Sequence, residues 1–318
     1  MIQQLSDELV IEGKIKQVQD VYVLPKGQEY QIIYRRNDQW QVQQQIEESL
    51  AEQLISRFKY LGQMDVGERR KAQLGACTYL VNGEVQRLRI STVGNYRQQE
   101  SLVLRFLHAF GESQLLYFCP EVLEKIREET NRRGLYLFGG PVGSGKTTLM
   151  YALAKKVHAQ VITIEDPVEI EEEQFLQLQI NHKIQQDYET LIKLSLRHHP
   201  DVLIIGEIRD RQTALAAIRA ALTGHRVYAT IHAKSLTGIR ERLEELTQGQ
   251  ATEEIDNCLN GIIYQRLLTD HSDSLVKGLV AYQLYHCQQT TAIDWNTQLK
   301  ELYEEGRVDE ETYKMEEE

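Results

Sequence analysis

Between residues 139 and 148 the chain reads GGPVGSGKTT, and the run Gly140, Pro141, Val142, Gly143, Ser144, Gly145, Lys146, Thr147 obeys the spacing G-x-x-x-x-G-K-[ST]. Glycines tolerate positive φ, so consecutive backbone N–H groups can turn inward as an anion-binding nest. A helix N-terminus behind such a loop adds partial positive charge. The Lys146 ammonium can then reach outer phosphates, and the Thr147 hydroxyl, followed by Thr148, can hold Mg²⁺. The flanks fit: GLYLF before the loop is a short β-prone run, and LMYALAKKV after it has helical apolar spacing. This stretch is built to hold a nucleoside triphosphate.

Three further apolar runs end in polar residues. VITIEDPVE finishes with Glu165 and Asp166, DVLIIGEIRD with Gly206, Glu207 and Arg209, and RVYATIHA with Thr230 and His232. Each alone is an ordinary strand end. In a parallel sheet, however, ligands sit beyond the carboxyl ends of the strands, so all four segments converge. Attack on a γ-phosphate needs a cation, a carboxylate for the metal's water shell, a second carboxylate for the attacking water, and a donor that senses the γ-phosphate. Lys146, Thr147, Glu207, Glu165 and His232 suit those roles. The common metal-binding strand ends in Asp, whereas LIIGE has glycine there, so Glu207 is expected to hold the metal through water.

The elements that must position these residues follow from the patterning. Residues before about 117 mix a helical opening, a strand pair QDVYVLP and YQIIYRR around Lys26-Gly27, a helix IEESLAEQLISRFKYLG, and strands at ACTYLV and QRLRIST, as a compact α+β domain does. From PEVLEKIREETNRRG onward helices alternate with LYLFG, VITIED, DVLIIGE and VYATIH, which predicts a parallel sheet covered on both faces.

With 318 residues, 42% hydrophobic and 26% charged, the chain has room for two domains with real cores. The first 117 residues carry 14 basic and 14 acidic side chains, leaving 22 against 33 in the rest. That acidity excludes a broad nucleic-acid-binding face, and no direct nucleic-acid partner is expected. The final ELYEEGRVDEETYKMEEE, with nine acids and two bases, reads as a solvated helical tail. No apolar stretch approaches the roughly 18 residues needed to span a bilayer, and the start lacks a signal-peptide pattern. Cys77, Cys119, Cys258 and Cys287 are widely spaced, which predicts free thiols and no zinc.

The four motifs, in this order, resemble the secretion and pilus-assembly ATPases, also called traffic ATPases. These carry a phosphate loop, an Asp box like TIEDPVE, a Walker B segment of GEIRD form and a His box like ALTGHRVYATIHA. The likeness spans about residues 15–270. It implies an α/β architecture: a RecA-like P-loop ATPase domain with a parallel sheet (116–318, with a C-terminal helical tail) behind a smaller PAS-like α+β domain (1–115). It also implies a homo-hexamer that uses ATP and Mg²⁺. Carried over by position, Glu165 matches the catalytic glutamate, Glu207 the Walker B glutamate, and His225 and His232 the two His-box histidines. RLRIST and LVLRFL match the segments that bring arginines to the nucleotide, which marks Arg89 and Arg105. Arg69 and Arg70 fall in a family segment whose wording is altered at 72–76, and no role is carried over to them.

The chain lacks the four-cysteine zinc insert of type II secretion and pilus-extension members and the retraction motif of pilus-retraction members. It resembles most the competence branch, which powers assembly of a DNA-uptake pilus in Gram-positive bacteria. The resemblance therefore implies a cytoplasmic motor that reaches the membrane through an inner-membrane platform protein. A retraction or secretion motor, or a nucleotide-binding scaffold with incidental hydrolysis, stays open as an alternative.

Overall fold

The computed structural model describes residues 2–36, 39–81, 83–109, 115–155, 160–181, 184–286 and 289–317; Cys287 lies outside them. The chain divides into two compact units, Met1–Ala109 with Glu169–Glu171, and Phe110–Val168 with Glu172–Glu318.

In the first unit α1 (Ile2–Ile15) is followed by β1 (Asp20–Lys26), β2 (Glu29–Arg36), β3 (Gln39–Glu47), α2 (Glu48–Leu61), β4 (Gln73–Val81), β5 (Glu84–Gly94) and β6 (Glu100–Ala109). The strands form an antiparallel sheet in the order β3-β2-β1-β6-β5-β4. Alternate residues such as Val21 and Val23, Leu88 and Ile90, and Leu102 and Leu104 are buried with Leu54, Ile55 and Phe58 of α2, which is the period-two pattern of a sheet with one covered face. The predicted strand pair and helix are present; β3 and β6 are additions.

The second unit begins with β7 (Leu116–Tyr117), α3 (Pro120–Glu129), β8 (Gly134–Gly139), α4 (Lys146–Lys155) and β9 (Val161–Glu165). The two-residue β10 (Ile170–Glu171) belongs to the first unit and pairs in parallel with β6. Next come β11 (Leu176–Gln179), α5 (Tyr188–Ser195), β12 (Val202–Ile205), α6 (Arg211–Leu222), β13 (Arg226–Ile231), α7 (Leu236–Leu246) and α8 (Thr252–Cys258). The chain closes with β14 (Leu259–Asp270), β15 (Leu275–His286), β16 (Gln289–Ile293), α9 (Trp295–Glu304) and α10 (Glu310–Glu316).

The sheet order is β11-β9-β12-β13-β8-β14-β15-β16. The predicted parallel strands β9, β12, β13 and β8 lie side by side at its centre, with β11 and β14 extending the parallel set. The sheet is mixed, because β15 and β16 continue it antiparallel. Runs such as LYLF and VLII are buried on every residue because helices cover both faces. The fold is α/β of the RecA-like P-loop kind, preceded by an antiparallel-sheet domain.

The acidic C-terminal stretch differs from the solvated tail its charge predicts. Its Leu302 and Val308 are buried in the main core, and Leu302 shares one helix face with Trp295 and Leu299, which precede the stretch. Counting charge missed this stripe. The stretch is also tied down by Asp270, at the end of β14, whose carboxylate is fully buried. It accepts from Lys277 Nζ at 2.8 Å, Arg307 Nε at 3.0 Å and Nη2 at 2.7 Å, and the Ser272 hydroxyl at 2.6 Å. The Arg307 guanidinium also sits over the Phe118 ring at 4.9 Å. Burial alone would push the Asp270 carboxyl up, but the Arg307, Lys277 and Ser272 donors outweigh it and hold the group well below the usual carboxylate range.

A carboxyl group depressed in the folded state contributes stability that is complete above its unfolded pKa and drains away as pH falls through the folded value. Asp270→Asn is therefore expected to lower Tm at pH 7 by more than about 5 °C. The gap to the natural protein should narrow as pH drops from 5 towards 3, as read by thermal melts across that range. An unchanged Tm at pH 7 would show that the cluster does not anchor the C-terminal helices.

Candidate active site

The parallel ladder sets the site. Ile164 of β9 pairs with Ile205 of β12, Ile205 with Ala229 of β13, and Ala229 with Leu137 of β8. Counting forward from that common level, Glu165 comes one residue later, Glu207 two, and His232 and Gly140 three. Two hydrogen bonds continue the ladder beyond the strand ends, from Gly206 N to Ile164 O and from Ile208 N to Thr230 O, both 2.8 Å. The Thr230 hydroxyl also donates to Gly206 O.

The loop from Gly140 to Gly145 connects β8 to α4. Gly140, Gly143 and Gly145 have φ of 138°, 79° and 83°, conformations that side chains resist. Lys146, the first residue of α4, is buried, and its ammonium is held by Gly140 O at 3.0 Å and Pro141 O at 2.6 Å. Val142 at the loop tip is exposed, while Thr147 and Thr148 are half-buried in the first helical turn. Glycine conformation, helix start and a central cation make this a fitting cradle for polyphosphate.

Glu165 is 3% exposed, and its Oε1 accepts from the hydroxyls of Tyr151 and Thr163, each at 2.6 Å. Gln177 in turn donates to the Tyr151 oxygen at 2.8 Å. Tyr151 lies on α4, so the helix that opens at the phosphate loop also fixes this carboxylate. Burial, and then the Glu165 charge, push the Tyr151 hydroxyl far above its ordinary value and keep it a donor.

Glu207 is paired on both oxygens, with His232 Nε2 at 2.9 Å and with Arg209 Nε. The hydrogen bond to Glu207 raises the Arg209 pKa against the opposing effect of burial. Tyr188 at the start of α5 is raised by burial and then by the Asp166 carboxylate, with Glu207 and Glu165 adding to the effect and Arg209 opposing it. Its hydroxyl thus belongs to the same electrostatic cluster.

The glycine in LIIGE has a steric cause: a Cβ on Gly206 would lie 3.1 Å from Ile164 O, 3.2 Å from Glu165 Cα and 3.3 Å from Glu165 Cγ. An aspartate at this position would crowd Glu165. For Mg²⁺, a hydroxyl at Thr147 and the carboxylates of Glu165 and Glu207 are the hard oxygen donors that the ion takes.

Lys146, Thr147, Glu165, Glu207 and His232 thus gather at one edge of the sheet. His225 does not. It precedes β13 at the opposite edge, where Nδ1 lies 3.1 Å from the Thr223 hydroxyl and its carbonyl accepts from Gly134 N at 3.1 Å. The full strand separates it from His232, about 20 Å at ~3.3 Å per residue. The two histidines are near in sequence only, so within this chain His225 is not beside the phosphate loop.

Arg89 and Arg105 belong to the first unit and are direct cross-strand partners on β5 and β6. Arg105 donates to the buried Asp20 at 2.8 Å. Arg69 is paired with Glu52 at 2.5 Å. The sequence motifs did not reveal Tyr151, Thr163, Gln177, Tyr188 or Gln265. The available signal was a polar group inside an apolar run, as in IIYQRLL around Gln265.

Comparison with known proteins bears on the whole chain. Residues 1–314 match the family described as Type II/IV secretion system protein. The competence protein ComGA of Streptococcus pneumoniae is 45% identical over 310 residues, covering 97% of this chain and 96% of the relative. ComGA of Bacillus subtilis is 35% identical over 274 residues, covering 84% and 76%. Among solved structures, the ATPase DotB of Legionella pneumophila superposes with a TM-score of 0.76 at 19% identity, covering 97% of this chain and 94% of that one. The pilus retraction motor PilT with bound ADP gives 0.74 at 23%, covering 98% and 96%. These two share the fold. By a match that leaves out only its last four residues, this chain is a member of the Type II/IV secretion system protein family.

Proposed function

We propose that this protein is an ATP-hydrolysing mechanical motor that powers assembly of a competence pilus for DNA uptake. It works as a homo-hexamer docked on an inner-membrane platform protein at the cytoplasmic face. The carrying observation is the convergence of a glycine-shaped phosphate loop with two differently held carboxylates, Glu165 and Glu207, at one sheet edge. The extensive identity to the two competence proteins supports the choice of machine. No helix among the described residues is long and apolar enough to cross a membrane, in keeping with docking through a partner.

In this proposal the loop amides and Lys146 grip the β- and γ-phosphates. Thr147 and Glu207 would hold Mg²⁺, which would supply positive charge against that developing on the phosphates. Glu165 orients the attacking water and accepts its proton. His232, bonded to Glu207, reports the γ-phosphate to the metal-side carboxylate. Residues 1–115 act as a PAS-like domain and 116–318 as the ATPase domain, with Arg89 and Arg105 completing the nucleotide site; His225, at the far end of β13, takes no part in the site of its own chain.

Lys146→Ala is expected to weaken Mg·ATP binding and abolish turnover. Glu165→Gln should leave ATP affinity within a few-fold of the natural protein while turnover falls by at least about 10², because it removes a proton acceptor and spares the nest. Phosphate-release assays and nucleotide titration check both. Normal turnover by Glu165→Gln would remove that residue from the mechanism. In the cells that make the protein, replacement by the Glu165→Gln chain should abolish DNA uptake; undiminished uptake would overturn the competence assignment.

Gly206→Ala tests the steric argument. Its methyl group should displace Glu165 by a few tenths of an ångström and lower kcat about tenfold, with ADP affinity unchanged. Equal kcat in the two proteins would show that the glycine is not required by Glu165.

Arg89→Ala should leave ADP affinity largely intact and reduce turnover. Mixing it with Lys146→Ala subunits should restore activity if the arginine serves a neighbouring subunit. Turnover unchanged by Arg89→Ala alone would remove it from the site.

A further inference from the structure

Gln265 stands in the middle of β14, between Tyr264 and Arg266, and is 1% exposed. Its amide Nε2 donates to the carbonyl oxygen of Ser144, inside the phosphate loop, at 2.5 Å. Turned the other way, the amide would bring two carbonyl oxygens to that separation, so the donor direction is dictated by electrostatics. Its Oε1 is buried and has no partner among the described residues. A half-satisfied amide in a core is a cost that an apolar side chain of the same size would avoid.

The loop also rests on this residue at both ends. A Cβ on Gly140 would lie 2.2 Å from the Gln265 carbonyl oxygen, and one on Gly145 would lie 2.7 Å from Gln265 Nε2. Two of the three positive-φ glycines therefore pack directly on one residue of the neighbouring strand. That strand is clamped from its other face: Tyr264 donates to Lys234 O at 2.6 Å, and Arg266 pairs with Glu316 of α10. Gln265 is thus a fixed support, and Ser144 is the loop residue it grips.

We infer that Gln265 is a positioning residue for nucleotide binding: its amide holds the Ser144 peptide so that the loop N–H groups stay turned towards the phosphates. The inference rests on the nucleotide site proposed above and adds the device that preorganises it. A nest collapses if one peptide unit rotates, because its N–H then leaves the anion. Pinning the carbonyl of Ser144 fixes the peptide plane it shares with Gly145, whose φ of 83° carries the loop into α4.

The test uses the full-length protein and Gln265→Met, which keeps the volume and removes the donor. A hydrogen bond that sets the nest acts alike on the ground state and the transition state, so its loss raises KM and leaves kcat. The expected result is about a tenfold rise in the KM for Mg·ATP and in the Kd for Mg·ADP by calorimetry. kcat should stay within about threefold, and Tm within about 4 °C of the natural protein. A residue that merely supports the fold would instead lower Tm and kcat together at constant KM, and that result would overturn the inference. So would KM and Kd within twofold of the natural values. Gln265→Asn, shorter by one methylene but still an amide, should repeat the Met result because it cannot reach Ser144, and it decides the question if the Met variant fails to fold. Absence of Mg·ADP binding by the natural protein would sink the nucleotide site itself, and this inference with it.

Discussion

The rest of the second unit depends on the register of four parallel strands. Each central strand advances the chain by about 3.3 Å per residue and alternates the face of its side chains. A slip of one residue between β9 and β12 would change the one-residue offset between Glu165 and Glu207 and reverse the face of every buried residue in the strand. The pairing of Ile164 with Ile205, continued by the bond from Gly206 N to Ile164 O, prevents this. The continuous burial of VITIE and VLII supplies the cost of slipping, because polar residues on either side would be dragged into the core. The geometry of the candidate site is a by-product of core packing: the polar residues stand where the apolar runs stop.

That origin explains what could be read from sequence. The phosphate loop was legible because its spacing encodes its own backbone conformation, and Gly140, Gly143 and Gly145 take positive φ as the motif requires. Glu165, Glu207 and His232 were legible because strand ends are marked by the change from apolar to polar. The antiparallel β14–β16 extension was not, since long strands with mixed faces lack the helix-strand alternation that announces a βα unit. The C-terminal stretch was expected to be helical, but its burial was hidden, the stripe of Trp295, Leu299 and Leu302 being spaced among polar residues ahead of an acidic run.

Least legible were the buried polar contacts. Tyr151, Thr163 and Gln177 come from α4, β9 and β11, and no spacing rule links them, yet Tyr151 and Thr163 meet at the Glu165 carboxylate and Gln177 backs Tyr151. His225 illustrates the reverse error. Proximity in sequence suggests proximity in space, but the six residues of β13 run the length of the strand between them, and its two ends face different surroundings.

The two charged groups nearest the chemistry are held by different means, and the difference is physical rather than incidental. Lys146 is bound by Gly140 and Pro141 carbonyls of the loop itself. Phosphate oxygens compete well against neutral carbonyls for an ammonium, because a charge-assisted bond is about twice as strong as a neutral one. Exchange of partners is therefore favourable and needs only side-chain rotation. Glu165 is instead fixed by side-chain donors buried with it, Tyr151 of α4 and Thr163 of β9. Moving it would strand the Tyr151 and Thr163 hydroxyls without an acceptor, at about 1–3 kcal/mol each. In the proposed reaction the group that would grip an arriving anion is left able to move, while the one that would point at a single attacking atom is held rigid, and the two share α4 as their common support.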